Sequence, residues 1–339
     1  MKAMILAGGL STRLYPLTLE LPKPLVPVLD RPVVGHVIDY LRRHGIDDII
    51  INVHYFPEAV RGYIGDGSAF GVRVEYLEEP QLMGSAGAVR QVAGRFTDTF
   101  VVIGCDDITD IDLEAALTFH RGSGAEATIV VAEVSDVSQY GAVVLASDGS
   151  IREFQEKPAK GTERSHLANT GVYIFEPQVL QRIPDRTFYD FGKHVFPDML
   201  SAGARFFATA QNAYWCDIGT PDEYRRVHAD ALGGRVKLAS QNGASVRGGI
   251  YVGAGCDISS RARLVGPACI GADCTVEAEA IVESSVLWHG VTIGKAAHVC
   301  NTVLADGASV EAGTMVNGGE YGKNARITAS SSLDGEHGR

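Results

Sequence analysis

From about residue 250 the chain repeats every six residues, and no other feature of the sequence constrains the fold as strongly. Apolar residues open successive units at Val252, Ile258, Leu264, Ile270, Val276, Val282, Leu287, Ile293, Val299, Leu304, Val310 and Val316, with two intervals of five among the sixes. Four residues after each of the first eleven stand Cys256, Ala262, Ala268, Cys274, Ala280, Val286, Val291, Ala297, Val303, Ala308 and Thr314, every one small or β-branched. A branched aliphatic followed at fixed offset by a small residue is what a narrow three-sided parallel coil needs. One side chain fills each face and the other packs a corner.

The pattern resembles the hexapeptide repeat of left-handed β-helices, and at three faces per coil it implies just under four coils over 250–318. Cys256 and Cys274 become fillers of the coil interior on this reading. Glycines at 233, 234, 243, 248 and 249 break periodicity and mark a linker over 233–249. After Gly318 and Gly319 the repeat is expected to stop, leaving 319–339 as a disordered tail.

Residues 1–232 have another rhythm. Ile49 to Val53, Val72 to Val74, Phe100 to Ile103 and Thr128 to Val131 read as strands. The stretches near 33–44, 56–63, 85–93 and 112–121 carry apolar residues at helical spacing. Strand and helix in alternation imply an α/β domain, a Rossmann-like mostly parallel sheet with helices on both faces. Ligands of such sheets bind beyond the carboxyl ends of the strands.

A formal net charge of -11, with no Lys/Arg-rich run, argues against a nucleic-acid partner and leaves a small substrate. The apolar run at the N-terminus stops at Gly8, too short for a signal segment or a membrane span, so the expected location is cytoplasmic. Six cysteines without a Cys-x-x-Cys fit neither a zinc site nor a disulfide framework and read as reduced thiols.

The first strand runs into Ala7-Gly8-Gly9-Leu10-Ser11-Thr12-Arg13-Leu14, followed by Pro22-Lys23-Pro24. Glycines directly after a strand let backbone N–H groups approach a phosphate chain. Alone, they fit an ordinary tight turn equally well. Two cations raise the phosphate reading: Arg13, four residues after Gly9, and Lys23, held between prolines, suit a triphosphate and its departing pyrophosphate. Asp106 follows an apolar run, and Asp217 follows Tyr214-Trp215 just before the helix start at Pro221. Two separated carboxylates suit Mg²⁺, which keeps other positions for phosphate oxygens and water.

These segments resemble the signature of the sugar-phosphate nucleotidyltransferase (NDP-sugar pyrophosphorylase) family. The resemblance continues through Glu79 to Ala88, Gly104 to Asp110, Tyr140-Gly141, Phe154 to Pro158, Asn169 to Tyr173 and Trp215 to Pro221, in order and spacing, and the trailing hexapeptide domain fits it. Among members it is most similar to mannose-1-phosphate guanylyltransferases and related adenylyl- and thymidylyl-transferases. Two positions depart from the pattern: Ser11 and Cys105 stand where the family has Gly.

The resemblance implies a nucleoside triphosphate and a sugar 1-phosphate, or a cyclitol phosphate analogue, as substrates, Mg²⁺ as cofactor, and pyrophosphate and an NDP-sugar as products. It assigns Leu6, Ala7, Gly8, Gly9, Ser11, Thr12, Gln81, Gly84 and Ser85 to the nucleotide. Gly141, Glu156, Lys157 and Asn169 fall to the sugar phosphate, and Arg13, Lys23, Asp106 and Asp217 to catalysis, the two aspartates as metal ligands. The attacking phosphate is already ionised, so alignment and charge neutralisation replace a general base and no catalytic histidine is expected. A guanylyltransferase is favoured; the alternatives are an adenylyl-, thymidylyl- or uridylyl-transferase of the same family, a non-catalytic regulatory paralogue, or an added acyltransferase activity in the repeat domain with His289 or His298 as base. The repeat domain is expected to serve homo-oligomer assembly and support.

Overall fold

The computed structural model describes residues 1–239 and 243–329. It divides into two compact units, Met1–Gly9 with Val37–Asp217, and Leu10–His36 with the chain from Ile218 onward. The sequence boundary at 232 therefore differs from the packing boundary: a segment of the N-terminal part belongs with the repeat region.

Along the chain run β1 (Lys2–Leu6), β2 (Pro27–Val28), β3 (Arg31–Pro32), α1 (Val33–Arg43), β4 (Asp48–Val53), α2 (Pro57–Ile64), β5 (Arg73–Glu78) and α3 (Gly84–Gln91). Then come β6 (Phe100–Gly104), β7 (Asp107–Thr109), α4 (Leu113–Ser123), β8 (Ala127–Glu133), β9 (Gly141–Leu145), β10 (Ile151–Glu156) and β11 (Leu167–Phe175). The series closes with α5 (Phe196–Ser201), β12 (Phe206–Ala210), β13 (Trp215–Asp217) and α6 (Pro221–Leu232).

The first unit is built on a sheet ordered β10-β9-β11-β6-β1-β4-β5, with β8 and β12 joined to it through β11. The half around β1 is parallel, as strands buried on both faces and joined by helices must be. The other half is mixed, because β11 runs antiparallel to β6, β8 and β9. β9 reaches β10 through Ala146 to Ser150, closed by a 2.8 Å hydrogen bond from Ala146 N–H to the Ser150 carbonyl. A link that short cannot make a parallel crossover. Buried aromatics fill this side: Phe96 stacks on Phe100 at 4.1 Å between centroids and Phe175 on Phe191 at 4.9 Å.

The second unit contains the left-handed parallel β-helix. Each of the twelve apolar starts packs in one continuous interior cluster. One face stacks strands at Ile250–Val252, Ala268–Ile270, Val286–Leu287, Val303–Leu304 and Glu320–Tyr321, and a second stacks five more, ending at Arg326–Ile327. The coil thus continues past Gly318 into the segment expected to be a disordered tail. Tyr321 and Ala325 pack against the interior cluster and Ile327 joins it, so the spacing persists where the sequence signal is diluted by Gly318, Gly319 and Gly322. Residues 330–339, the rest of that tail, lie outside the described residues, as do 240–242 of the linker.

The intervals of five have a local consequence. Leu287 and Leu304 join the interior cluster, whereas Val286 and Val303 are buried but lie outside it. Val286 instead lines a cleft with Arg225 and Ala229 of α6. Alternation along a strand forces this, since adjacent residues face opposite ways. An antiparallel strand, Ser245–Arg247, covers the first coil at its open edge. All six cysteines are free thiols. No helix among the described residues is long and apolar enough to cross a membrane.

Candidate active site

Leu6 ends β1 level with Asn52 of β4 and Gly104 of β6, so the chain leaves the sheet at the carboxyl ends of three parallel strands. Ala7 N–H donates to Asn52 Oδ1 at 2.8 Å, and Asn52 Nδ2 donates to Glu79 Oε2 at 2.6 Å. Glu79 Oε1 accepts from Met83 N–H at 3.1 Å. This buried strap ties the glycine turn to the 79–83 loop. It also explains Gly8, where a Cβ would sit 2.8 Å from Asn52 Nδ2; at Gly9 nothing crowds that position. Asn52 was not among the expected residues, and its signal was a polar residue interrupting the run Ile49 to Val53.

Gln81 is exposed in that loop. Gly84 has φ of 76°, and a Cβ there would lie 2.5 Å from the Tyr189 carbonyl oxygen. That carbonyl accepts from the N–H groups of Ala86 and Gly87, and Ser85 Oγ donates to Asp190 Oδ2 at 2.9 Å while accepting from Phe191 N–H. The amino end of α3 is therefore closed by residues 189–191. Ser85 fixes that junction.

Asp106 follows β6, and the short ladder of β7 with β13 sets Asp217 opposite Asp107. At Gly104 a Cβ would meet Asp107 Oδ2 at 2.5 Å and Asp106 Oδ1 at 2.6 Å, so two carboxylate oxygens gather over one glycine. Asp107 is buried and its Oδ1 accepts from Trp215 Nε1–H at 2.9 Å, whereas Asp106 and Asp217 are half-buried. Asp107 was missed because an aspartate doublet does not reveal which member turns inward. Among the described residues no three His, Cys, Asp or Glu side chains are gathered as a preformed metal cage. Hard oxygen donors at a glycine floor suit an ion that keeps most of its water and takes phosphate oxygens.

The expected sugar residues collect on neighbouring antiparallel strands. Glu156, ending β10, pairs with Gly141, opening β9, and a Cβ on Gly141 would meet the Phe154 ring at 2.4 Å and Asn169 Cβ at 3.3 Å. Asn169 sits where β11 shifts register: its Oδ1 accepts from Gly171 N–H at 3.0 Å and its Nδ2 donates to the Tyr173 hydroxyl at 2.9 Å. Burial, and then the nearby Asp190 carboxylate, raise the Glu156 carboxyl above its usual range. Lys157 is exposed with φ of 47°, its N–H donating to the Tyr140 carbonyl at 3.0 Å.

Ser11, Thr12, Arg13 and Lys23 belong to the second unit. Ser11 adopts φ of 55°, the left-handed conformation that glycine adopts freely, and Thr18 Oγ1 donates to its carbonyl at 2.8 Å. Thr12 and Arg13 lie exposed on a 3-10 turn, while Lys23 is buried at the start of another. In the same unit a cleft of about 280 Å³, walled by Pro16, Leu19, Glu20, Trp288, Asp306 and Lys323, holds none of the expected substrate residues.

Comparison with known proteins shows the family. The model described as nucleotidyl transferase matches residues 2–233, and that of a GlmU-like C-terminal hexapeptide region matches 237–332. A UTP–glucose-1-phosphate uridylyltransferase from Synechocystis sp. is 36% identical, covering 90% of this chain and 87% of the relative. A mannose-1-phosphate guanylyltransferase from Mycobacterium tuberculosis is 33% identical over 93% of this chain and 82% of its own. Among solved structures, a putative glucose-1-phosphate thymidylyltransferase from Bacillus anthracis superposes with a TM-score of 0.63 at 27% identity, covering 71% of this chain and 98% of the other. With a family match over most of its length and relatives above 30% identity across nine-tenths of it, the chain belongs to the nucleotidyl transferase family, as a sugar-1-phosphate nucleotidyltransferase carrying a hexapeptide domain.

Proposed function

We propose that the enzyme is a guanylyltransferase that joins mannose 1-phosphate to GTP, forming GDP-mannose and pyrophosphate. A phosphate oxygen of the sugar 1-phosphate attacks the α-phosphorus, the α–β bridge breaks, and pyrophosphate leaves with the electron pair. The observation that carries the reaction class is the carboxylate pair over Gly104, with Asp217 opposite Asp107 on the ladder at the strand ends. Mg²⁺ held by Asp106 and Asp217 would supply positive charge for the phosphate oxygens. Leu6 to Gly9, Gln81 in its loop and Gly84 at the start of α3 shape the nucleotide site. Ser11 and Thr12 contribute to the phosphates, and Ser85 acts through its hold on Asp190 and Phe191. Arg13 and Lys23 neutralise the triphosphate and the departing pyrophosphate.

Glu156 accepts from sugar hydroxyls, Asn169 accepts from and donates to them, Gly141 contributes backbone beside them with its side-chain space taken by Phe154, and Lys157 pairs with the sugar phosphate. The preference for GTP draws on the guanylyltransferase relative, and the uridylyltransferase relative supports UTP with glucose 1-phosphate as the second reading. We also read the enzyme as a cytoplasmic homo-oligomer. A matrix of four nucleoside triphosphates against a panel of sugar and cyclitol 1-phosphates, followed by pyrophosphate release, tests the assignment. The highest kcat/KM is expected for GTP with mannose 1-phosphate; a maximum elsewhere in the matrix overturns the choice of base or sugar, and no release with any pair overturns catalysis.

A further inference from the structure

Lys23 lies four residues before a hairpin, β2 and β3, that turns at Leu29 and Asp30 with φ of 49° and 61°. Two consecutive left-handed residues make the tight turn that suits a two-residue hairpin, but glycine or asparagine adopts it readily and a leucine does not. Each non-glycine residue held there meets a steric penalty between its Cβ and the following carbonyl. The turn therefore needs support from its surroundings.

That support comes from α6 and the β-helix within the second unit. Leu29 N–H donates to His228 Nε2 at 3.3 Å, and Ala272 N–H, in a coil of the β-helix, donates to Asp30 Oδ2 at 3.0 Å. Tyr224, one helical turn before His228, donates its hydroxyl proton to the Pro27 carbonyl at 2.5 Å. The same hydroxyl accepts from Trp288 Nε1–H of the next coil at 2.8 Å. Tyr224, His228 and Trp288 are all buried, so these bonds do not compete with bulk water.

The segment from the hairpin back to Lys23 is short and stiff. Pro22, Pro24 and Pro27 fix three φ angles, and Val26 N–H closes a 3-10 turn on the Lys23 carbonyl at 3.0 Å. Lys23 is buried at the head of that turn, so a shift of the hairpin passes to its backbone rather than being absorbed by slack chain.

We propose that Asp30, Tyr224 and Trp288 are positioning residues for Lys23, which makes the β-helix a part of the turnover machinery in addition to a scaffold. The proposal rests on the reading of Lys23 as the cation that neutralises the pyrophosphate. A misplaced charge weakens stabilisation of the transition state more than binding of the sugar phosphate.

The test is a set of double-mutant cycles measured in the full-length enzyme, in both the forward direction and pyrophosphorolysis. Tyr224→Phe, Trp288→Phe and Asp30→Ala should each lower kcat about tenfold while the KM for sugar 1-phosphate stays within about twofold. Asp30→Asn, which keeps an oxygen acceptor for Ala272 N–H, should recover most of the loss. In a Lys23→Ala background the same substitutions should produce no further loss of kcat, because the residue they position is gone. Thermal melts establish that each variant is folded at the assay temperature. An unchanged kcat in both Tyr224→Phe and Asp30→Ala, or losses that multiply with that of Lys23→Ala, overturns the proposal while leaving the role of Lys23 standing. Full turnover in Lys23→Ala alone overturns the reading of Lys23, and the proposal with it.

Discussion

Asp107 and Asp217 face each other on one ladder, Asp106 lies in the turn just before it, and the three have different surroundings. Asp107 is buried and holds Trp215 Nε1–H, while Asp106, in the turn between β6 and β7, and Asp217, ending β13, remain half-buried. We expect Asp106→Asn and Asp217→Asn to lower kcat by about 10²–10³ with little change in melting temperature, since each removes charge and preserves shape. Asp107→Ala is expected to destabilise the fold by about 1–3 kcal/mol, because the buried indole N–H loses its acceptor. Turnover over a Mg²⁺ titration and thermal melts on the three variants check both halves. Near-normal turnover of Asp106→Asn or Asp217→Asn at limiting Mg²⁺ would remove that residue from the metal site. At this scale the sequence displayed residue types and order but not orientation: Ser85 is engaged by Asp190 and Phe191 because α3 closes against residues 189–191, a contact across more than a hundred residues.

Among the elements, the β-helix was the most legible, since a period of six with inward aliphatics admits few other structures. Its register at the intervals of five was not, because a one-residue slip exchanges the inner and outer sides of a strand. Ala268 is buried and takes a ladder hydrogen bond, its N–H donating to the Gly249 carbonyl at 3.1 Å, whereas the Lys295 side chain is exposed. Ala268→Arg should therefore lower stability by more than about 3 kcal/mol through overpacking and an unpaired charge. Lys295→Ala should stay within about 0.5 kcal/mol of the parent. Urea unfolding of the two variants measures the contrast, and an Ala268→Arg protein as stable as the parent would show the register to be wrong.

For the whole molecule, the group with the clearest pH signature is His228. Burial lowers its pKa from 6.5 to about 4, with the neighbouring His36 adding to the shift and the hydrogen bond to the Tyr224 carbonyl opposing it. Its Nδ1–H donates to that carbonyl at 2.9 Å, which leaves Nε2 as the acceptor for Leu29 N–H. The folded state therefore holds the neutral ring, and the unfolded chain binds the proton more readily. The contribution is fully present above pH 6.5, declines as pH falls, and is lost below about 4; the shift corresponds to on the order of 3 kcal/mol. Unfolding free energies at pH 7.5, 6 and 5 should fall more steeply for the parent than for His228→Gln, and parallel curves would contradict the assignment.

The sequence by itself determined the two rhythms, hence an α/β region followed by a coil, together with the glycine turn, the proline-flanked lysine and the order of the motifs. Those signals are local, written in spacing and in the backbone demands of Gly and Pro. Only the tertiary structure decided that Leu10–His36 packs with the β-helix, that β11 reverses half the sheet, and that the coil runs on to Ile327. These depend on hydrogen bonds and packing between residues far apart in the chain, such as Asp30 with Ala272, which no periodicity records.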